Sequence, residues 1–413
     1  MKKMLILRGA PGVGKSTFIK KNSLQQYTLC ADDFRLQLAS PAMGLDGKMH
    51  INQKVSGKAW ENLFLALESR MKEGDFIVVD ATHTRQRDMN QYKKYADKYN
   101  YKVYCLTFDA ELETILKQNA QREEFRQVPE NVIETLYNRC RTVAVPEWIE
   151  LIDSFTELLE TPENVDKYDN VMVIGDVHGC YTALQESLGK LSKNTLYIFA
   201  GDLLDRGIEN KETIDFCLKH KDDENFIFVE GNHDTHIRNF ANNTFPKGKD
   251  GNPHKPLQFK MFTEPQIQEG RNREERLRFR QDLKDFTRKL RDCYWFEYRG
   301  RTYFVSHGGI SDFNINPLFI SAKALIKGVG TYNTAIDYIY SLNVQGTDKP
   351  IQIHGHRPEI MVKVRECDMN SFNLEEDVFS GGNLVTLFIS GHHCTYRRVK
   401  NTIFDMSKIC KIF

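Results

Sequence analysis

The chain of 413 residues carries 57 Lys+Arg against 56 Asp+Glu, with 40% hydrophobic and 27% charged residues. That is enough length for two or three domains, and too much apolar content for a disordered, collagen-like or low-complexity chain. A formal net charge of +1 excludes a wholly basic nucleic-acid coat and says nothing of local patches. The nine cysteines are scattered without a Cys-x-x-Cys pair, so reduced thiols in a reducing cytoplasm are expected. No segment approaches the ~20 apolar residues of a membrane span. The apolar run at the start is too short for a signal peptide and is interrupted by Arg8.

Short apolar runs at 4–8, 27–31, 76–81 and 103–108, separated by helix-like stretches, predict an α/β domain with a parallel sheet. A helix is expected over 132–142, and a further apolar run lies at 155–159. The polar stretch 161–168 holds a Pro, an Asn and several charges, which places a linker between a domain at 1–160 and a second at 169–413. Fresh apolar runs at 171–174, 196–200, 226–229, 303–306 and 351–354 each end at a polar, glycine-containing loop. Residues 242–255, rich in Asn, Pro, Gly and Lys, read as a long loop. Residues 270–292 read as a charged helix with Leu277, Leu283, Phe286 and Leu290 on its apolar face.

The first run leads into Gly9-Ala10-Pro11-Gly12-Val13-Gly14-Lys15-Ser16-Thr17, a complete Walker A pattern between a strand and a helix. Its backbone N–H groups would cradle the β- and γ-phosphates of ATP, Lys15 would add a charge, and Ser16 would offer a hydroxyl to Mg²⁺. Asp80 ends a strand where a carboxylate can stand near the metal or merely cap a turn. His83, Arg85 and Arg87 read as a solvated loop. If a helix starts after the second run, Asp32 and Arg35 share a face; a carboxylate there can take a proton from an acceptor hydroxyl while an arginine forks onto a phosphate. Asn119, Arg122 and Arg126 share another face if their helix runs that far, which suits a lid over a triphosphate as well as a solvated basic surface.

Walker A at the extreme N-terminus, Asp-Asp-aromatic-Arg soon after, and Asn-x-x-Arg before Val-Pro resemble the 5′-hydroxyl polynucleotide kinase domain of phage and bacterial polynucleotide kinase-phosphatases. The resemblance covers about residues 1–160. It implies Asp32 as general base, Arg35 as a contact to the acceptor's 3′-phosphate, and Arg122 with Arg126 as lid contacts to the nucleotide phosphates.

In the second domain five separated segments bring hard-metal ligand types: Asp176 with His178; Asp202, Asp205 and Arg206; Asn232, His233 and Asp234; His307; and His354 with His356. Carboxylate, imidazole and amide donors suit Mn²⁺, Fe or Zn²⁺ better than a thiolate-bound structural zinc. The array resembles the calcineurin-like metallophosphoesterases, in the phosphoprotein-phosphatase-like branch, which implies a β-sandwich flanked by helices. By that resemblance Asp176 and His178 bind one metal, Asp202 bridges, and Asn232, His307 and His356 complete the second. His233 becomes the general acid, held by Asp205, and Arg206 grips the phosphate. His354 competes with His356 for the last position, the family pattern favouring His356. The Gly391-His392-His393 stretch reads as solvated.

Joined, the halves resemble RNA end-healing enzymes that phosphorylate a 5′-hydroxyl with ATP and Mg²⁺ and remove a 3′-phosphate or 2′,3′-cyclic phosphate with two ions, expected to be Mn²⁺. The resemblance implies RNA or DNA ends as partners and a separate RNA ligase, because no ligase module follows the phosphatase. Self-association is left open. Residues 271–301 hold 11 Lys+Arg against 6 Asp+Glu, which suits a nucleic-acid backbone or a solvated helix. The competing readings are a small-metabolite kinase fused to a diadenosine-polyphosphate or protein phosphatase, and a phosphatase switched by nucleotide binding.

Overall fold

Residues Met4 to Leu7 are fully buried in strand β1 (Lys2–Arg8) because both faces of the sheet around it are covered. Met4 and Ile6 pack with Leu63, Leu67 and Met71 of the helix Ser56–Glu73. Leu5 and Leu7 point the other way, toward Ile19, Leu24 and Phe155, as the alternation of a strand dictates. The computed structural model describes residues 2–44, 46–245, 259–344, 346, 349–357 and 370–405. It divides into one unit of Met1–Leu159 with Asn316–Ala322 and another of Glu160–Ile315 with Lys323–Phe413.

In the first unit β1 is joined by β2 (Thr28–Cys30), β3 (Ile77–Asp80), β4 (Tyr101–Thr107) and β5 (Glu150–Ile152) in the order β2-β3-β1-β4-β5. Every pairing is parallel, so the C-terminal ends of the strands lie on one side and gather the loops that follow them. Strand β5 is three residues on the sheet edge, too short to register as an apolar run. The stretch after it, Phe155–Leu158, is a 3₁₀ turn started by a Ser154–Glu157 capping box.

The second unit is a sandwich of two five-stranded sheets. One has the order β9-β8-β7-β14-β15, with β7 (Asn170–Ile174), β8 (Thr195–Phe199) and β9 (Phe226–Phe228) parallel, and β14 (Asn383–Ser390) and β15 (His393–Lys400) added antiparallel. The other has the order β13-β12-β11-β10-β6, from β6 (Glu163–Asn164), β10 (Cys293–Tyr298), β11 (Arg301–Ser306), β12 (Ile351–His354) and β13 (Ser371–Asn373). Val171, Val173, Leu196 and Ile198 face the sandwich core with Phe296, Tyr303, Val305 and Ile353. Met172, Ile174, Tyr197 and Phe199 face outward onto helices that supply Leu184, Ile214, Phe240 and Leu283. A sandwich flanked by helices is the architecture that the family resemblance of this half implies.

Three local expectations need correction. The charged helix spans Arg273–Lys289 and starts from an Asn272–Glu275 capping box. Its buried stripe is Phe279, Leu283, Phe286 and Leu290, whereas Leu277 is 65% exposed; six residues ahead of Leu283 is about a third of a turn off that position. The helix expected to carry Asn119, Arg122 and Arg126 on one face is Leu112–Ala120 and stops there. Asn119 ends it by donating its Nδ2 to the Val128 carbonyl at 2.9 Å and accepting the Val128 N–H at 3.0 Å. His83 is buried, not solvated. Of the expected loop at 242–255, residues 246–255 lie outside the described residues.

Candidate functional site

In the first unit, the loop after β1 turns through Gly9, Gly12 and Gly14 with φ of 156°, 88° and 103°, conformations that L side chains resist. Gly14 precedes the helix Lys15–Lys21. The buried Lys15 folds its Nζ over the loop, donating to the carbonyls of Gly9 at 2.8 Å and Ala10 at 3.1 Å. Ser16 and Thr17 are exposed on the first turn. Burial lowers the proton affinity of Lys15, with Asp80 opposing. Burial likewise raises Asp80, which stands at the end of β3, with Lys15 opposing.

Helix Ala31–Leu38 begins directly after β2, so Asp32 and Arg35 do share a face: Arg35 Nη1 donates to Asp32 Oδ1 at 2.5 Å and its Nε to Ser56 Oγ at 2.8 Å. Arg126 reaches Asp33 at 3.2 Å from the turn Glu124–Arg126. Arg122 is half-buried; burial depresses it, while Asp32 and Asp80 attract it. Its Nη1 is buried with no hydrogen-bond partner, a donor suited to an anionic ligand. Asp80 thus feels the charges of Lys15, Asp32 and Arg122 at one end of the sheet.

Sequence reasoning missed the support behind this loop. His83, at φ 47°, holds the Leu7 carbonyl through Nδ1 at 2.7 Å and meets Tyr92 OH through Nε2 at 2.9 Å. A carbonyl only accepts, so Nδ1 carries the proton and Nε2 accepts from the phenol. Burial drives His83 down to about 4.

In the second unit the loops after β7, β8, β9, β11 and β12 converge. Among the described residues three groups of possible metal ligands form, Asp176 with His178 and Asp202, Asp202 with His307 and His356, and Asp205 with His233 and His236; within each group the ligand atoms lie within 4.8 Å of one another. Asp202 is common to the first two. Its Oδ2 is 3.6 Å from His178 Nε2 and 3.3 Å from His307 Nε2, and Asn232 Oδ1 is 3.2 Å from His307 Nε2. His354 is engaged elsewhere: its Nε2 meets Asp337 at 3.0 Å and its Nδ1 the Gly355 carbonyl at 2.9 Å.

The backbone is bent to make this cluster. His178, Asp202, Asp205, Arg206 and His356 all have positive φ, between 46° and 78°, and such strain in non-glycine residues gathers at functional sites. Gly355 leaves room for Asp176, since a Cβ there would lie 1.9 Å from its Oδ1. Asp234 accepts the N–H groups of Gly231, Asp202 and Leu203 at 2.8, 3.1 and 3.0 Å. It therefore braces the two loops from below.

Charge is concentrated here. Burial, then Glu375 and Asp202, push Asp176 well above the usual carboxylate range. Burial would raise Asp202 as well, but His307, His233 and His178 hold it well below. Burial and the Arg206 guanidinium lower His178, and burial with the His307 charge takes His356 to about 3. The donors are carboxylate oxygen and imidazole nitrogen with no thiolate, and one buried carboxylate is common to the first two groups. This set fits a pair of divalent ions. Glu375, whose carboxylate raises the proton affinity of Asp176, belongs to the site and lies in no recognisable motif.

Beside the cluster, His233 donates its backbone N–H to Asp202 Oδ1 at 2.8 Å and sets its ring Nδ1 3.0 Å from Asp205 Oδ2. Thr263 hydrogen-bonds the other Asp205 oxygen. Burial lowers the proton affinity of His233, but Asp202 and Asp205 outweigh it and raise the ring above its usual value. Arg206 Nη1 lies 3.3 Å from His178 Nε2, and its guanidinium stacks over Phe379 at 4.7 Å. Gly391, half-buried, and His392, exposed, form the turn between β14 and β15, whose first residue His393 is exposed as well. In the basic stretch, Arg271, Lys289 and Arg291 pair with Asp215, Asp222 and Glu163, while Arg273, Arg276 and Arg278 are exposed.

Comparison with known proteins gives matches in both parts. A family described as calcineurin-like phosphoesterase matches residues 170–396, more than half of the chain, and one described as AAA domain matches residues 4–143. A serine/threonine-protein phosphatase, PP2A-like PPG1, of Candida albicans is 34% identical over 106 residues, 25% of this chain and 23% of that protein. A symmetrical bis(5′-nucleosyl)-tetraphosphatase of Neisseria meningitidis is 38% identical over 68 residues, 16% of this chain and 24% of that protein. The chain thus spans about a quarter of the length of these relatives. Among solved structures, a Saccharomyces cerevisiae protein serine/threonine phosphatase aligns over 58% of this chain and 84% of its own, with 15% identity and a TM-score of 0.35. The Pnkp1/Rnl/Hen1 RNA repair complex aligns over 54% and 78%, with 17% identity and a TM-score of 0.29. Among the described residues no helix is long and apolar enough to cross a membrane.

Proposed function

The chain belongs to the calcineurin-like phosphoesterases, with a P-loop kinase-like domain ahead of the phosphoesterase, and from that premise we propose a bifunctional enzyme that heals nucleic-acid ends. Residues 1–160 would transfer the ATP γ-phosphate to a 5′-hydroxyl, and residues 169–413 would remove a 3′-phosphate or 2′,3′-cyclic phosphate, with RNA as the main substrate and a separate ligase sealing the ends. The observation that carries the reading is that Asp32, paired with Arg35, lies within electrostatic reach of Asp80 and Arg122 beside the phosphate-binding loop, on a chain that also holds the Asp202-centred cluster.

In the kinase, Asp32 takes the proton of the 5′-hydroxyl as its oxygen bonds to the γ-phosphorus and the bond to ADP breaks. Arg35 holds the acceptor's phosphate, and Lys15, Arg122 and Arg126 offset charge on the transferring group; Gly9, Gly12, Gly14, Ser16 and Thr17 form the cradle, with Mg²⁺ near Ser16. In the phosphatase, Asp176, His178 and Asp202 would hold one ion and Asp202, Asn232, His307 and His356 the other. When bound, two ions of the Mn²⁺ type would acidify water and screen the phosphate. Arg206 orients that phosphate. His233 gives its proton to the departing oxygen as water attacks the phosphorus, and Asp205 keeps the ring aligned and protonated.

The test is a 5′-hydroxyl, 2′,3′-cyclic-phosphate RNA incubated with ATP, Mg²⁺ and Mn²⁺, with both ends analysed. A 5′-phosphate and a free 3′ end are expected. An unphosphorylated 5′ end alongside hydrolysis of dinucleoside polyphosphates or phosphoproteins would favour the small-metabolite kinase and phosphatase reading instead. No phosphoryl transfer to the 5′ end, with Asp32→Ala leaving all measurable activity unchanged, would leave the P-loop domain as a nucleotide switch.

A further inference from the structure

Residues 327–334 form a loop at the edge of the metal-ligand cluster that neither the motifs nor the catalytic roles use. Arg357, the residue after His356, is 1% exposed. Its Nη2 donates to the carbonyls of Val329 at 2.7 Å and Lys327 at 3.3 Å, and its Nη1 to the Thr331 carbonyl at 3.0 Å. Gly328, at φ 74°, is required for this approach, because a Cβ there would lie 2.1 Å from Arg357 Nη2. The Thr331 N–H is tied to Thr334 Oγ1 at 2.9 Å. A buried guanidinium whose Nη1 and Nη2 are given to three carbonyls while its Nε has no hydrogen-bond partner is a costly device for fixing an ordinary surface loop.

What that loop presents is Tyr332. The side chain is 50% exposed, yet its ring stands edge-on to His356 with centroids 5.5 Å apart and planes at 87°. It lies within electrostatic reach of Glu375, Asp377, Arg206 and Asp176, so it borders the place where a phosphate held by Arg206 would sit. An exposed aromatic face on a rigid mount stacks a nucleobase without sequence preference. No arginine or lysine lies between Lys327 and Lys349, so this rim offers an apolar ring rather than a second cation.

We propose that Tyr332 is the substrate-specificity residue of the phosphatase, stacking the base of the nucleoside whose phosphoester is cleaved, with Arg357 as its positioning residue. The inference rests on the nucleic-acid reading above and adds to it the group that recognises the nucleoside. The experiment compares kcat/KM of the full-length Mn²⁺-loaded protein on an RNA ending in adenosine 3′-phosphate, the same RNA ending in an abasic ribose 3′-phosphate, and glycerol phosphate. Tyr332→Ala should lower kcat/KM on the adenosine end about tenfold, mostly through KM, and leave the abasic end and glycerol phosphate unchanged. Tyr332→Phe should keep wild-type preference. Equal losses on all three substrates, or no loss on the adenosine end, would overturn the stacking role while leaving the nucleic-acid reading in place. Wild-type hydrolysis of glycerol phosphate or a phosphopeptide with none of either RNA would overturn both.

Discussion

His83 offers a prediction that can be worked through in numbers. It is buried under the phosphate-binding loop as a neutral ring, donating to the Leu7 carbonyl and accepting from Tyr92, with a folded value of about 4 against an ordinary 6.5. Because the folded value is depressed, the unfolded chain binds the proton first as pH falls. Its contribution is therefore whole above pH 6.5 and is lost progressively down to about pH 4. Between pH 7.5 and 4.5 the loss amounts to about 2.5 kcal/mol at 1.36 kcal/mol per pKa unit, a large part of the 5–15 kcal/mol typical of a domain. His83→Asn removes the titration while keeping a donor for Leu7, and Asn accepts the positive φ of this site. The Tyr92 phenol loses its acceptor, which costs about 1–3 kcal/mol at every pH. Of the three tryptophans, Trp60 and Trp148 lie in the first unit, so a Trp295→Phe background restricts fluorescence to that unit. Urea unfolding should show wild type losing about 2.5 kcal/mol more than His83→Asn between pH 7.5 and 4.5. Parallel stability curves for the two proteins would refute the reasoning.

Further outcomes concern the two centres. Asp32→Ala should abolish 5′ phosphorylation, by at least about 100-fold for loss of a general base, while an ATP analogue still binds in calorimetry. Gly355→Ala would press a methyl onto Asp176, 1.9 Å from its Oδ1, and should lower metal content and phosphatase activity at least tenfold without touching kinase activity; metal analysis of the purified variant checks this. His233→Ala should impair esters with poor leaving groups far more than an activated aryl phosphate, and equal losses would count against the proton-donor role. Chelation should remove phosphatase activity, and Mn²⁺ should restore it.

The loops that carry chemistry were legible in the sequence because each follows an apolar run and is punctuated by glycine. Asp176, Asp202, Asn232, His307 and His356 could be named that way, and so could Lys15 and Asp32. Other residues carry no such mark. Glu375 lies next to Asp176 only because β13 pairs beside β12. His83 sits in a polar stretch with arginines, yet the chain folds its ring under β1 to hold Leu7. The lid residues looked like one helical face until Asn119 spent its amide on Val128 and ended the helix. Hairpin β14–β15, far along the chain, completes the first sheet of the sandwich by pairing antiparallel with β7.

By itself, the sequence determined the two sheet-based domains, the phosphate-binding loop and the residue types of the metal cluster, because strand periodicity and glycine spacing are local properties. Only the tertiary structure decided that Asp202 is shared between two ligand groups, that His354 turns to Asp337 while His356 turns to the cluster, and that Tyr332 rims the site on a loop held by Arg357. These depend on where distant strands end and which backbone groups a buried side chain must satisfy, and neither is encoded within any short stretch of chain.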